Sequence, residues 1–340
     1  MPTVLLVDDS ALARVLLQQR FRRRGWRVAW AGSGSEALAR WADVAPDLIT
    51  MDVEMPGMNG VETVRRLREA GYHKPLVMLS GFTRTGAEVT VEALAAGADD
   101  FVLKPAEVGE LDQTVDTLVQ KWVALSRRPP AASTPKAACD LSAEGVALWC
   151  LAASTGGPRA LAELCQAAPE PPAPVVMVQH MPAGFTGPFS QRLTRLAGWP
   201  VVEVPSDGRP RSLWEAPAWL AAGGRHLRLN RRELWTELGP RRHGVIPAAD
   251  VTLEDAAQAF GPRLGVVVLT GMGEDGAAGA KQARQAGARV VVEAPETAVV
   301  WGMPRAVVEA GAAEAVWPLG RIRTWLHRAW AHPVAAEDPS

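Results

Sequence analysis

The chain alternates between two kinds of segment, and that alternation restricts its fold more than any other feature. From residue 3 to about 126, short apolar runs closing on a polar or glycine residue are each followed by helical spacing. TVLLVD precedes 10–23, WRVAWAG precedes 35–42, DLITMD precedes 59–70, PLVMLSG precedes 85–96, and DFVLKP precedes 107–124. Five strand–helix units in succession predict a doubly wound parallel sheet over residues 1–126. Residues 127–143, RRPPAASTPKAACDLSA, have no apolar period and read as a semi-extended, flexible connector rich in Pro and Ala.

After the connector the alternation resumes. VALWCLAA leads into 158–168, PVVMVQH into 189–197 and RLGVVVLTGMGEDG into 277–286, and ARVVVEA follows. A second doubly wound, mostly parallel α/β domain is therefore expected over 144–332, with a frayed tail at 333–340. Within it, AWLAAGGRHLRLNRRELWTEL alternates and carries turn residues, which predicts a hairpin inserted on or beside the sheet. A length of 340 residues suits two such domains.

Charge and composition exclude several partners. A formal net charge of -1 offers no basic field for nucleic acid, and nothing after residue 143 resembles a helix-turn-helix with clustered basic residues. The run RFRRRGWR at 20–27 falls at an expected helix end, where cations suit the helix dipole. No apolar run approaches the ~20 residues of a membrane span, and Met-Pro-Thr leads directly into the first strand. A cytoplasmic protein without membrane insertion is the expectation. Cys139, Cys150 and Cys165 form neither a metal pattern nor a disulfide framework and read as buried or incidental thiols.

Open parallel sheets bind ligands beyond the carboxyl ends of their strands. In the first domain those ends carry Asp8 and Asp9, Asp52, Ser80 and Lys104. Carboxylates converging there repel one another unless a hard cation joins them, and Mg²⁺ fits that set. Asp52 could then attack a phosphoryl group in line, with Mg²⁺ and Lys104 balancing charge and the Ser80 hydroxyl donating to a phosphoryl oxygen. In the second domain the strand ends carry Ser154, His180 and Asp275. One crevice would hold all three, with His180 taking the Ser154 proton and Asp275 fixing the imidazole. On spacing alone a second reading stands beside it, in which STGG and TGMGEDG cradle a phosphate, although neither matches a dinucleotide or P-loop pattern.

VDDS, MDVEMPGMNG, MLSG and FVLKP resemble the response-regulator receiver domain across nearly its whole length. The resemblance implies a flavodoxin-like fold, Asp52 as phospho-acceptor, Asp8 and Asp9 with Asp52 as Mg²⁺ ligands, Ser80 and Phe101 at the hydroxyl and aromatic switch positions with Lys104 beside them, and a histidine kinase as phosphodonor. Further on, ASTGGP, VQHMPAGFTGPF, PAADVTLEDAA, LTGMGEDGA, GAKQARQAGA and VVWGMP resemble, in order, the catalytic domain of the CheB family of chemotaxis methylesterases. That resemblance implies Ser154 as nucleophile, His180 as base, Asp275 as orienting acid, the Met272 NH in the oxyanion hole and Thr155 beside the nucleophile. Its substrates would be glutamate methyl esters of chemoreceptors, with glutamine deamidation as a harder companion reaction and no cofactor for the esterase step. An unphosphorylated first domain covering the Ser154 crevice is the expected control. The competing class is a non-enzymatic regulator whose second domain binds a ligand or partner.

Overall fold

A computed structural model describes residues 1–127 and 141–331. The chain divides into two compact units, Met1–Arg128 and Pro129–Ser340. Of the expected connector, residues 128–140 lie outside the described residues, Cys139 among them, as does the whole expected tail 333–340.

The first unit runs β1 (Thr3–Val7), α1 (Ala11–Arg23), β2 (Arg27–Ala31), α2 (Gly34–Val44), β3 (Leu48–Asp52), α3 (Gly60–Glu69), β4 (Leu76–Ser80), α4 (Arg84–Ala96), β5 (Asp100–Leu103) and α5 (Leu111–Ser126). Its five strands lie in the order β2-β1-β3-β4-β5, every neighbouring pair parallel. This is the flavodoxin-like arrangement. Ser10, Ser33, Asn59 and Thr83 each accept a backbone NH three residues on, so four helices begin where a short polar side chain can satisfy an otherwise unpaired donor. The fifth begins later than its sequence pattern suggests, because a 3₁₀ turn at Val108–Glu110 takes up its first residues. Val4, Leu6, Leu48, Val77 and Leu79 bury one sheet face against Leu17, Phe21, Trp26, Leu111, Val115 and Leu118. The strand order reverses between β1 and β3, which opens a crevice at their carboxyl ends.

The second unit runs β6 (Leu148–Ala153), α6 (Gly157–Cys165), β7 (Val175–Gln179), α7 (Thr186–Ala197), β8 (Val201–Glu203), β9 (Arg211–Ser212), β10 (Ala218–Leu220), β11 (His226–Leu229), β12 (Glu233–Glu237), α8 (Ala249–Phe260), β13 (Leu264–Val268), α9 (Ala277–Gln285), β14 (Arg289–Glu293), α10 (Met303–Glu309), β15 (Ala315–Trp317) and α11 (Leu319–Ala331). Seven strands form one sheet in the order β15-β14-β13-β6-β7-β10-β8, parallel at every pair. From β6 the chain travels outward through β7 to β8 and β10 on one side, then crosses back and travels outward through β13, β14 and β15 on the other. The reversal therefore falls at the carboxyl end of β6.

The expected hairpin is corrected in its extent. Ala218, Trp219 and Leu220 do not belong to it: they are buried on both faces, as a strand covered by helices must be, and pair in parallel with β7 and β8. The hairpin itself is β11–β12, which pairs with β9 in a separate antiparallel sheet. Cys150 and Cys165 are buried, and burial pushes both thiols far above their ordinary range. Among the described residues no helix is long and apolar enough to cross a membrane.

Candidate active site

Strands β7, β6 and β13 are neighbours, and their ends bring together the three residues singled out in the second domain. Ser154 follows β6 directly, and its NH donates to the Thr270 carbonyl just beyond β13 at 3.0 Å. His180 follows β7, and its NH donates to the Ala153 carbonyl at 3.1 Å. Asp275 reaches the same rim from the loop after β13, where its Oδ2 lies 2.7 Å from His180 Nε2. The imidazole and carboxylate are both buried, with side-chain exposures of 9% and 2%. Ser154 is half-buried. Among the described residues no hydrogen bond joins its hydroxyl to the imidazole. Such contacts are commonly loose before substrate binds.

Asp275 is held by more than His180. Its Oδ2 accepts the Ala249 NH at 2.6 Å and its Oδ1 accepts the Asp250 NH at 3.0 Å, so the carboxylate sits on the N-terminus of α8. Asp250 returns the arrangement by accepting the Gly279 NH in the first turn of α9 at 2.7 Å. The two aspartates thus cap one another's helices. Burial alone would raise the pKa of Asp275, but the bonds from His180, Asp250 and Ala249 outweigh it and hold the carboxyl below its ordinary range. A carboxylate at Nε2 requires the proton there, which leaves Nδ1 as the basic nitrogen of His180.

The glycines of STGG have a steric cause. Gly156 is left-handed at φ 79°, and a Cβ there would stand 2.6 Å from the Val299 Cβ. Beyond β13, a Cβ on Gly271 would stand 2.8 Å from Ser154 Cβ and 2.3 Å from Met303 Sδ. The loop after β13 is therefore pressed against the Ser154 turn, with Met272 next along it. The Met272 NH donates to no backbone group among the described residues. Thr155, buried at 3% exposure, accepts the Thr270 hydroxyl at its carbonyl at 2.9 Å. Substituting Gly271→Ala is expected to displace this loop, lowering turnover by about tenfold or more and stability by about 1–3 kcal/mol. Methanol release and thermal unfolding of the same preparation check it.

In the first unit, Asp8, Asp9 and Asp52 offer carboxylate oxygens within 4.8 Å of one another, with Asp9 exposed and the other two buried. Lys104 Nζ lies 2.6 Å from Asp52 Oδ2 and 3.3 Å from Asp8 Oδ2. Burial, with the charge of Asp8 adding to it, lifts the Asp52 carboxyl above its ordinary range against the pull of Lys104. Asp8 Oδ2 is buried without a hydrogen-bond partner. A buried carboxylate oxygen whose contact is the 3.3 Å ion pair with Lys104, beside two further carboxylates, fits a hard divalent cation. The Ser80 hydroxyl is engaged elsewhere, against the Gly81 and Gly86 carbonyls and accepting from Thr90 at 2.8 Å. Phe101 is buried at 8% exposure in β5. His243, Asp250 and Asp275 also cluster. Their carboxylate oxygens, however, already accept from backbone NH groups and imidazoles, so that cluster has no free donor set.

The model of the CheB methylesterase family matches residues 149–326, which contain all of this rim. The chain belongs to the CheB methylesterase family. The response regulator receiver domain matches residues 4–116 ahead of it. The protein-glutamate methylesterase/protein-glutamine glutaminase of Nocardioides sp. is 38% identical over 93% of this chain and 92% of its own length. The protein of the same description from Geobacillus kaustophilus is 40% identical over 94% and 96%. That from Symbiobacterium thermophilum is 38% identical over 96% of both. In this CheB-family chain the α8 N-terminus is a part of the site that strand-end reasoning misses. Its signal was present in sequence, since Ala249, Leu253, Ala256 and Ala257 repeat on one helical face behind Asp250.

Proposed function

We infer that this chain is a phosphorylation-regulated hydrolase that removes methyl esters from glutamate side chains of chemoreceptors and deamidates glutamines at the same site. The observation that carries the reading is the buried His180–Asp275 pair beside Ser154 at one switch point. Ser154 Oγ attacks the γ-carbonyl while His180 Nδ1 takes its proton, and the Met272 NH receives the developing oxyanion. The proton passes from His180 to the departing methoxide, releasing methanol. Water then enters through the same base and frees Ser154. With glutamine the leaving group is ammonia, which departs less readily, so deamidation is slower.

In the first domain Asp52 accepts a phosphoryl group from a histidine kinase, with Asp8, Asp9 and Asp52 holding Mg²⁺ and Lys104 balancing phosphoryl charge. Mg²⁺ held there would supply positive charge to offset that of the carboxylates and the phosphoryl group. Ser80 and Phe101 are the groups that respond. The phosphoryl adds about two negative charges at one strand end, enough to reorder the adjoining loop. This chemistry belongs in the cytoplasm, where kinase and receptor tails meet.

The test is methanol release from membranes bearing methylated receptors, with and without a small-molecule phosphodonor. Phosphodonor is expected to raise the rate by on the order of tenfold, and Asp52→Asn to abolish that rise while leaving the basal rate. No methanol from the unsubstituted protein overturns the esterase reading. An undiminished rise in Asp52→Asn overturns the assignment of the phospho-acceptor.

A further inference from the structure

Glu293, the last residue of β14, is 1% exposed and lies outside the Ser154, His180 and Asp275 set. Its Oε2 accepts the Thr270 NH at 2.8 Å, and its Oε1 is buried with no hydrogen-bond partner among the described residues. Thr270 is a junction. Its carbonyl accepts the Ser154 NH at 3.0 Å, its hydroxyl donates to the Thr155 carbonyl at 2.9 Å, and the same hydroxyl accepts the Val300 NH at 2.9 Å. One residue further on, Gly271 presses against Ser154, and Met272 follows.

We propose that Glu293 is a positioning residue of this site, whose carboxylate grips Thr270 and through it keeps the Ser154 turn and the Met272 loop in register. The proposal rests on the esterase reading above. A buried carboxyl is an expensive way to accept a single backbone NH, since a neutral acceptor such as an amide oxygen would cost less. The expense is intelligible if the charged form tightens that bond. A charge-assisted hydrogen bond is roughly twice as strong as a neutral one.

The surroundings make the grip sensitive to pH. Burial lifts the Glu293 carboxyl to about 7, opposed by the Thr270 NH and the nearby Thr297 hydroxyl, with Glu163 of α6 adding to the lift. The residue opposite on β15 is Trp317, and the Glu293 carbonyl accepts the Trp301 indole NH. Among the described residues Glu163 is thus the one charged group bearing on the carboxyl, and it favours protonation. As pH rises through about 7, Glu293 ionises and tightens on Thr270. Activity and stability then run in opposite senses, because a carboxyl whose pKa is raised on folding stabilises the fold at low pH and loses that contribution as pH rises through its folded value.

The experiment measures methanol release from methylated receptor membranes between pH 5 and 8 by the full chain, Glu293→Gln, Glu293→Asp and a Ser154→Ala blank. Turnover that needs an ionised Glu293 falls on the acid side by up to about tenfold more per pH unit than turnover that does not. The steeper limb is expected in the unsubstituted chain and the shallower in Glu293→Gln, in kcat and not in KM, since Glu293 touches no substrate. Glu293→Asp keeps the charge but stands back by one methylene, so it should retain the steep limb at a reduced kcat. Thermal unfolding of Glu293→Gln should lose less stability than the unsubstituted chain between pH 5 and 8. Superimposable limbs in the unsubstituted chain and Glu293→Gln, or a Glu293→Asp protein as fast as the unsubstituted one, overturn the proposal and leave the esterase intact. A Ser154→Ala blank as active as the unsubstituted chain overturns the esterase reading instead.

Discussion

Asp275→Asn is expected to lower methanol release by about 10³- to 10⁴-fold while leaving receptor binding nearly unchanged. The loss follows from who donates to that carboxylate. Its Oδ2 accepts from both His180 and the Ala249 NH, and its Oδ1 accepts from the Asp250 NH. An asparagine amide can satisfy only one side. If its NH₂ takes the Oδ2 position it meets the Ala249 NH donor to donor and forces His180 to carry its proton on Nδ1, where a base is needed. If it takes the Oδ1 position it opposes the Asp250 NH. Either way a helix start loses a partner, so the unfolding temperature should fall too. In the unsubstituted protein the carboxyl is held below its ordinary range, so the stability it contributes is full at neutral pH and fades as pH falls through that depressed value. A kinetic loss without any change in the acid side of the stability profile would mean that Asp275 does not bear charge in the folded protein.

The second large effect is expected from Ser154→Ala. Removing a nucleophile costs about 10³-fold or more, and adding His180→Ala should cost little further, because nucleophile and base act as one unit. A fluorophosphonate probe supplies an independent reading. It should label the unsubstituted chain at Ser154 and leave Ser154→Ala unlabelled, since Ser154 is half-buried while Cys150 and Cys165 are sealed in the core. Labelling that persists in Ser154→Ala, together with undiminished methanol release, would place the reacting group elsewhere. Labelling of neither protein would favour a binding module.

The strand–helix alternation made both sheets legible because parallel strands are buried on both faces and read as continuous apolar runs. The candidate site residues stood out for the same reason, since Asp52, Ser154 and His180 close such runs directly. Ala218 to Leu220 misled because a three-residue run beside real alternation does not by itself declare which sheet it joins. The helices α8, α10 and α11 went unread beside stronger motifs, although Ile322, Trp325, Leu326 and Trp330 mark one face of α11. Glu293 was hidden for a different reason. A glutamate ending an apolar strand looks like a solvated terminus, and only its 1% exposure and the Thr270 NH on its carboxylate reveal that it is sealed inside.

The crossed caps of Asp275 on α8 and Asp250 on α9 give the site an unusual dependence. Groups that serve chemistry are commonly a burden on folding, and their loss tends to stabilise the scaffold. Here one member of the proposed catalytic set is also a rivet of the architecture. In copies of this gene that drift free of selection for turnover, the hydroxyl of Ser154 can vanish at little cost, whereas Asp275 should outlast it, preserved by the fold after the chemistry has gone.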